Sequence, residues 1–306
     1  MSDSRELQRQ LAQITETIAK LTGEAKSQTF AEFATEYFLV KSARPSIRAS
    51  TKAGFEHQLR RNLIPHFGQV AIDKIGNAEW LGYVAATRAD VRGIRRFFNA
   101  HKVLNEILRA ALDCGLISRK PRLDNVDERR DVGRALTERE ILKILKGTHY
   151  DFYRLYFYTL WKTACRPREI LKWEWSMINW GEPGHTWIKV PGRITKCDTD
   201  REIPLNPGVS RRLYKIFKQG NGSKYVWPDW NHPDRPQLQY HHQFRMSCTR
   251  AGVKCMPYDF RRTFLTKAAA EGKALVYVAK LLQTSVKMIE MTYAKKHVGV
   301  MEELVK

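Results

Sequence analysis

Residues 119–135 read RKPRLDNVDERRDVGRA, charged and almost without apolar side chains. Such a run buries too little apolar surface to offset its ordering entropy as part of a core. It therefore acts as a linker, and the flanking regions must each build a core of their own. The length of 306 residues agrees, since domains average roughly 150 residues. The organisation expected is an amphipathic helix at 1–24, a helical domain at 27–118, the linker at 119–135 and a second domain at 136–306.

Upstream of the linker the apolar residues recur at helical spacing. Leu7, Leu11, Ile14, Ile18 and Leu21 form one seam on a polar helix, which predicts an interaction role for that helix. TFAEFATEYFLV places Phe30, Phe33, Ala34, Tyr37 and Phe38 on one face. A further helix is expected from after Ser50 through FEHQLRRNLI. IPHFGQVAIDKI then reads as a compact turn in which Pro65 and Gly68 break the helix. Helices follow from Asn77 and through VRGIRRFFNAHKVLNEILRAALDCGLI.

Downstream the element types mix. Thr137 with Glu140 three residues later has the form of a capping box. DFYRLYFYTLWKTAC is rich enough in aromatics for a buried helix. TWIKV, ITK and REIPL read as short strands separated by PGR and CDTD turns. A helix is expected near VSRRLYKIFKQG, an irregular Trp/Pro/His segment over 225–240, and helices from there on.

The chain carries 53 Lys and Arg against 32 Asp and Glu, a formal charge of +21. An excess of that size favours a polyanion, usually nucleic acid. In the helical region Arg48, Lys52, Arg60, Arg61, Arg92, Arg95, Arg96 and Lys102 cluster as a surface for DNA, and Arg262 adds to it. The five cysteines form no C-x-x-C pair and the histidines no zinc pattern, so no metal site is expected. No apolar run approaches the ~20 residues that span a bilayer, and MSDSRELQRQL has no apolar signal core. The expected location is the cytoplasm, associated with the nucleoid, with no membrane partner.

Four separated segments bear on chemistry. They are Thr163-Ala164-Cys165-Arg166-Pro167-Arg168-Glu169-Ile170, then Ile194-Thr195-Lys196 with Arg201-Glu202-Ile203-Pro204-Leu205, then Tyr258-Asp259-Phe260-Arg261-Arg262-Thr263, and Leu281-Leu282-Gln283-Thr284-Ser285 followed by Tyr293. Their order resembles the tyrosine recombinases, or phage-type integrases. That family's pattern is T-G-x-R-x-x-E-[IL], a hairpin lysine before V-P-L, H-x-L-R-H-T, and L-G-H-[ST]-S before a tyrosine. Ile64-Pro65-His66-Phe67-Gly68 resembles the L-x-P-x-[FL]-G segment of the family's helical domain.

The resemblance implies a mainly α fold with a small β-sheet: a helical core-binding (SAM-like) domain plus an α+β tyrosine-recombinase catalytic domain. It implies a site-specific DNA recombinase, the integrase of a phage or integrative element, working through a 3′-phosphotyrosine. The alternative is a catalytically weakened DNA-binding or architectural member of the same family. In the enzyme, Arg166 and Arg261 bind the anionic phosphate, because positioned cations stabilise the charge that accumulates on nonbridging oxygens. Tyr293 is the nucleophile, Lys196 the general acid, and Glu169, one turn after Arg166, orients the site. Tyr258 and Gln283 occupy catalytic positions where the family has histidine, or sometimes tryptophan at the second. Both side chains can donate hydrogen bonds, but neither takes up a proton near neutral pH as imidazole does. Leu282 replaces the family glycine. His297 is a further candidate for proton transfer. No cofactor is implied. The implied partners are double-stranded DNA, further copies of the chain in a tetramer on DNA, and accessory DNA-bending proteins.

Overall fold

The computed structural model describes residues 28–87, 94–125, 133–182 and 185–293, and side chains throughout except at 94–96 and 291–293. The expected helix at 1–24 lies outside the described residues. The chain divides into two compact units, Met1–Arg130 and Asp131–Lys306.

The first unit is helical. Helix α1 (Phe30–Ala43) starts at Thr29, whose hydroxyl accepts from the Glu32 amide while the Glu32 carboxylate accepts from the Thr29 amide. Phe30, Phe33 and Ala34 are buried, and Phe38 stacks on Phe55 of α2 (Ala49–Gln58) with ring centres 5.7 Å apart. The expected break at Pro65 does not occur. After α2 the chain widens into a π-helical turn, Leu59–Leu63, and continues through α3 (Ile64–Phe67). The Ile64 amide donates to Leu59, five residues back. Proline is tolerated because it enters at the second residue of α3, where its missing N–H matters least. Helices α4 (Asn77–Thr87) and α5 (Ile94–Asp113) complete the unit. Trp80 on α4 is fully buried, and its indole N–H donates to the Asp124 carbonyl at 2.9 Å. Phe97, Leu104, Ile107 and Leu108 of α5 form the other side of this core.

In the second unit Thr137 and Glu140 make the expected capping box at the start of α6 (Glu138–Lys146). Helix α7 (Asp151–Thr163) runs through the core, burying Tyr153, Leu155, Tyr156, Phe157 and Leu160. Each such side chain contributes about 1.5–3 kcal/mol by burial. A short helix, α8 (Pro167–Ile170), follows. The sheet is antiparallel in the order β1 (Ile178–Asn179), β2 (Trp187–Val190), β3 (Arg201–Pro204), with Ile188 opposite both Ile178 and Ile203. Strand β1, two residues long, has too short a pattern to read in advance. The expected strand at ITK is absent: Gly192–Ile194 is a 3₁₀ turn and Thr195 folds inward. A Cβ on Gly192 would lie 2.6 Å from the Asp198 carbonyl, so the loop is too tight for extended pairing there. Residues 225–240 are irregular, as expected. Helices α9 (Pro207–Gln219), α10 (His241–Ala251), α11 (Pro257–Ala270), α12 (Leu275–Leu282) and α13 (Val286–Tyr293) account for the rest. Among the described residues no helix is long and apolar enough to cross a membrane.

Candidate active site

Helix α7 ends at Ala164, which takes a left-handed conformation (φ 52°). Pro167 then keeps Arg166 extended, because a residue before proline is excluded from the helical region. This turn aims the Ala164 carbonyl at one arginine and swings a second into the same space. Arg261 on α11 donates to the Ala164 carbonyl (2.8 Å) and to the Leu282 carbonyl (2.6 Å). Arg166 donates to the Gln283 carbonyl (2.8 Å). A third arginine, Arg201 at the start of β3, donates to the Leu281 carbonyl (2.9 Å). Three guanidinium groups thus converge on the last carbonyls of α12. That is where a helix dipole favours cations and where backbone acceptors lack helical partners.

Glu169 is the carboxylate inside this group, 3% exposed in its side chain. Its closest partner is Arg201, in an ion pair through Oε1; Arg166 stands 3.8 Å from Oε2. The carboxylate therefore orients Arg201 first and Arg166 second. The reason is the parity of β3, which turns Arg201 inward together with Ile203. Three cations against one anion leave a formal +2. Burial, followed by repulsion from Arg166, lowers the Arg261 guanidinium to about 10. Burial likewise pushes the Cys165 thiol up to about 11. Arg166 Nη1 and Glu169 Oε2 are buried without a hydrogen-bond partner among the described residues, as are Arg201 Nε and Gln283 Oε1. A buried N–H donor with no acceptor is costly, and in a cationic pocket an anionic oxygen satisfies it best.

The β2–β3 loop reaches the same place. Gln283, in a left-handed conformation at the end of α12, donates from Nε2 to the Thr199 carbonyl (2.7 Å) and hydroxyl (2.9 Å). Lys196 is exposed in the turn just before Thr199. Tyr258 stands in the first turn of α11, 49% exposed. Tyr293 is the last residue of α13, which packs on α11 and α12 through the fully buried Ile289. The Tyr293 side chain lies outside the described residues, and so does His297. Arg262 is committed to Asp259 at 2.6 Å. Gly133 passes so close to this pair that a Cβ there would lie 2.0 Å from Arg262 and 2.2 Å from Asp259.

In the first unit, Arg48 caps α2 and Lys52 lies one turn on. Arg60 and Arg61 sit in the π-helical turn, Arg60 paired with Glu56 at 2.9 Å. Lys102 is exposed on α5. Arg92, and the side chains of Arg95 and Arg96, lie outside the described residues. Among the described residues no three His, Cys, Asp or Glu side chains form a group that could hold a metal ion.

A family model described as the phage integrase family matches residues 134–298, more than half of the chain. The chain belongs to the phage integrase family. A second model, the phage integrase N-terminal SAM-like domain, matches residues 29–80. Among solved structures, the chain is similar to the Tn1549 transposon integrase in complex with a circular intermediate DNA. The identity is 16% and the TM-score 0.74, over 91% of this chain and 100% of that one. It is also similar to a lambda integrase dimer bound to a COC′ core site, with 15% identity and TM-score 0.72 over 89% and 97%. A lambda integrase tetramer bound to a Holliday junction matches with 15% identity and TM-score 0.71 over 88% and 80%. No curated protein sequence matches.

Against the integrase pattern, two glycine positions carry side chains here. Ala164 keeps the positive φ that the glycine would supply, and its methyl group packs with Leu265, Ala279, Leu282 and Ile289. Leu282 is itself fully buried in that cluster. Arg201 and Thr199 escaped the sequence reading. The available signal for Arg201 was a charged residue in register with Ile203 and Leu205 on the inward face of a strand.

Proposed function

We propose that this integrase is a site-specific DNA recombinase of a phage or integrative element that cleaves and rejoins DNA through a 3′-phosphotyrosine. The observation that carries the reading is the cluster of Arg166, Arg201 and Arg261 around one carboxylate, with a buried Arg166 N–H lacking an acceptor. Such a pocket suits a phosphodiester whose nonbridging oxygens gain charge in the transition state. The Tyr293 oxygen attacks phosphorus and the bond to the 5′-oxygen breaks. The leaving oxygen takes a proton from Lys196, and the phenol proton passes to solvent. Phosphodiester energy is kept in the phosphotyrosine, and attack by a 5′-hydroxyl reverses the step. The basic residues of the first unit, Arg48, Lys52, Arg60, Arg61, Arg92, Arg95, Arg96 and Lys102, track the duplex backbone, and Arg262 joins them from the catalytic domain. The same reading places the protein in the cytoplasm on the nucleoid, as a tetramer on paired duplexes, with accessory DNA-bending proteins.

The test is a nicked duplex carrying the cognate site, on which cleavage releases a short strand and traps the covalent complex. Wild-type protein forms a denaturation-resistant adduct, also in the presence of EDTA, and Tyr293→Phe forms none. A Tyr293→Phe protein that still forms the adduct overturns the assignment of the nucleophile. A wild-type protein that binds the site tightly without reacting overturns the recombinase reading in favour of a DNA-binding factor.

A further inference from the structure

We infer that Gln283 is a positioning residue that acts through Lys196, latching the β2–β3 loop to the end of α12 instead of binding the scissile phosphate. The inference rests on the recombinase reading above. A primary amide carries two N–H donors and one acceptor oxygen. The Gln283 amide nitrogen is turned to Thr199, donating to its carbonyl at 2.7 Å and to its hydroxyl at 2.9 Å. The orientation of the amide is not arbitrary. The Thr199 carbonyl can only accept, so the nitrogen must face it; the flipped amide would set two oxygens against each other. The other end of the amide is Oε1, buried without a hydrogen-bond partner among the described residues, and an acceptor repels an anionic phosphate oxygen.

Both ends of the latch are fixed. On the α12 side, the Gln283 carbonyl accepts from Arg166, and its left-handed backbone closes the helix. On the loop side, the base is braced by the Gly192 amide donating to Asp200 (2.7 Å) and by the buried Thr195 hydroxyl donating to the Gly192 carbonyl (3.0 Å). Lys196 lies between Thr195 and Thr199, exposed at the tip. A lysine has a long flexible stem, so the placement of its ammonium depends on where the loop backbone is held. Gln283 thus ties the loop that carries the acid to an arginine of the phosphate cradle.

The experiment separates acid from phosphate binding by the leaving group. DNA trapped on the wild-type protein is sequenced, and its site is synthesised with either the normal 5′-oxygen or a bridging 5′-sulfur at the scissile position. When Tyr293 attacks the sulfur substrate, the P–S bond breaks and a thiolate leaves without needing a proton. Gln283→Leu should slow adduct formation on the oxygen substrate by roughly 10²-fold, the low end of general-acid loss. On the sulfur substrate the loss should be under about 3-fold, as with Lys196→Ala, since no proton transfer is required. Activity on sulfur also shows that the variant is folded. Thr199→Val, which keeps one of the two hydrogen bonds, should lie between. Gln283→Leu combined with Lys196→Ala should be no slower on oxygen than Lys196→Ala alone, because both changes remove one effect. Equal losses on oxygen and sulfur would overturn the latch and place Gln283 on the phosphate, leaving the recombinase reading intact. No adduct from wild-type protein on either substrate would overturn both.

Discussion

Replacing Glu169 with glutamine removes the carboxylate from a cluster of three guanidinium groups, two of them buried, while keeping the side-chain volume. The cluster's formal charge rises from +2 to +3. At the 3.8 Å separation from Arg166, with an effective dielectric near 20, one lost attraction amounts to about 4 kcal/mol. The Arg201 contact is closer still, and both partners are nearly inaccessible, at 5% and 3% side-chain exposure. Part of this is offset because a glutamine oxygen still accepts from Arg201 and no charged carboxylate needs burying. Losing one partner of a buried pair typically costs about 3–5 kcal/mol, and about 3 kcal/mol is the expected destabilisation here. The assay is urea unfolding followed by tryptophan fluorescence. Every tryptophan except Trp80 lies beyond residue 130, so the signal reports the catalytic unit. With an m-value near 2 kcal/mol/M, the midpoint should fall by roughly 1.5 M. Glu169→Gln combined with Arg201→Met, which removes both charges, should recover most of the loss. A single variant within about 0.5 kcal/mol of wild type would refute the claim that this carboxylate holds the arginines together.

Three further outcomes are expected. The Arg134 guanidinium, helped by the Thr137 donors, holds Glu140 near 2, below the usual carboxylate value. A depressed carboxylate adds stability above its unfolded value that is lost as pH falls through about 2. The gap between wild type and Glu140→Gln should therefore close between pH 4.5 and 2, and it should stay under ~1 kcal/mol because Arg134 is well exposed. Trp80→Ala should cost roughly 3–5 kcal/mol in the helical unit, read as faster amide exchange along α5; unchanged exchange would contradict the packing. A thiol reagent should label exposed Cys114 and Cys197 in the native protein, and Cys165 only after unfolding, since burial holds that thiol near 11.

The parts readable along the chain were those set by residues a few positions apart. The Thr137–Glu140 capping box, the aromatic face of α7 and the order of the four boxes all follow from spacing within one element or one turn. Among the described residues of the first unit the helical reading survived apart from the break at Pro65, which stands at the second residue of a helix, where its missing N–H matters least. The strand expected at Ile194-Thr195-Lys196 failed because the backbone closes there on Asp198, too tightly for extended pairing. Thr195 instead spends its hydroxyl on the Gly192 carbonyl and closes a tight loop.

Which groups meet across that spacing was another matter. Glu169 was expected to orient the site from one turn after Arg166, and its closest partner is Arg201, thirty-two residues on. Gln283 was expected at a catalytic position as a hydrogen-bond donor, and the acceptor its nitrogen meets is Thr199, eighty-four residues earlier. Local spacing dictates which face of a helix or strand a side chain occupies, because backbone geometry repeats every few residues. Pairing between distant side chains depends on which faces the apolar cores press together, and several arginines in one chain are equivalent until that packing chooses among them. That the chain holds several arginines in separated boxes was written in residue types and their order. The choice of Arg201 as the partner of Glu169, and of Thr199 as the partner of Gln283, came from the folding of β3 and α12 against α8.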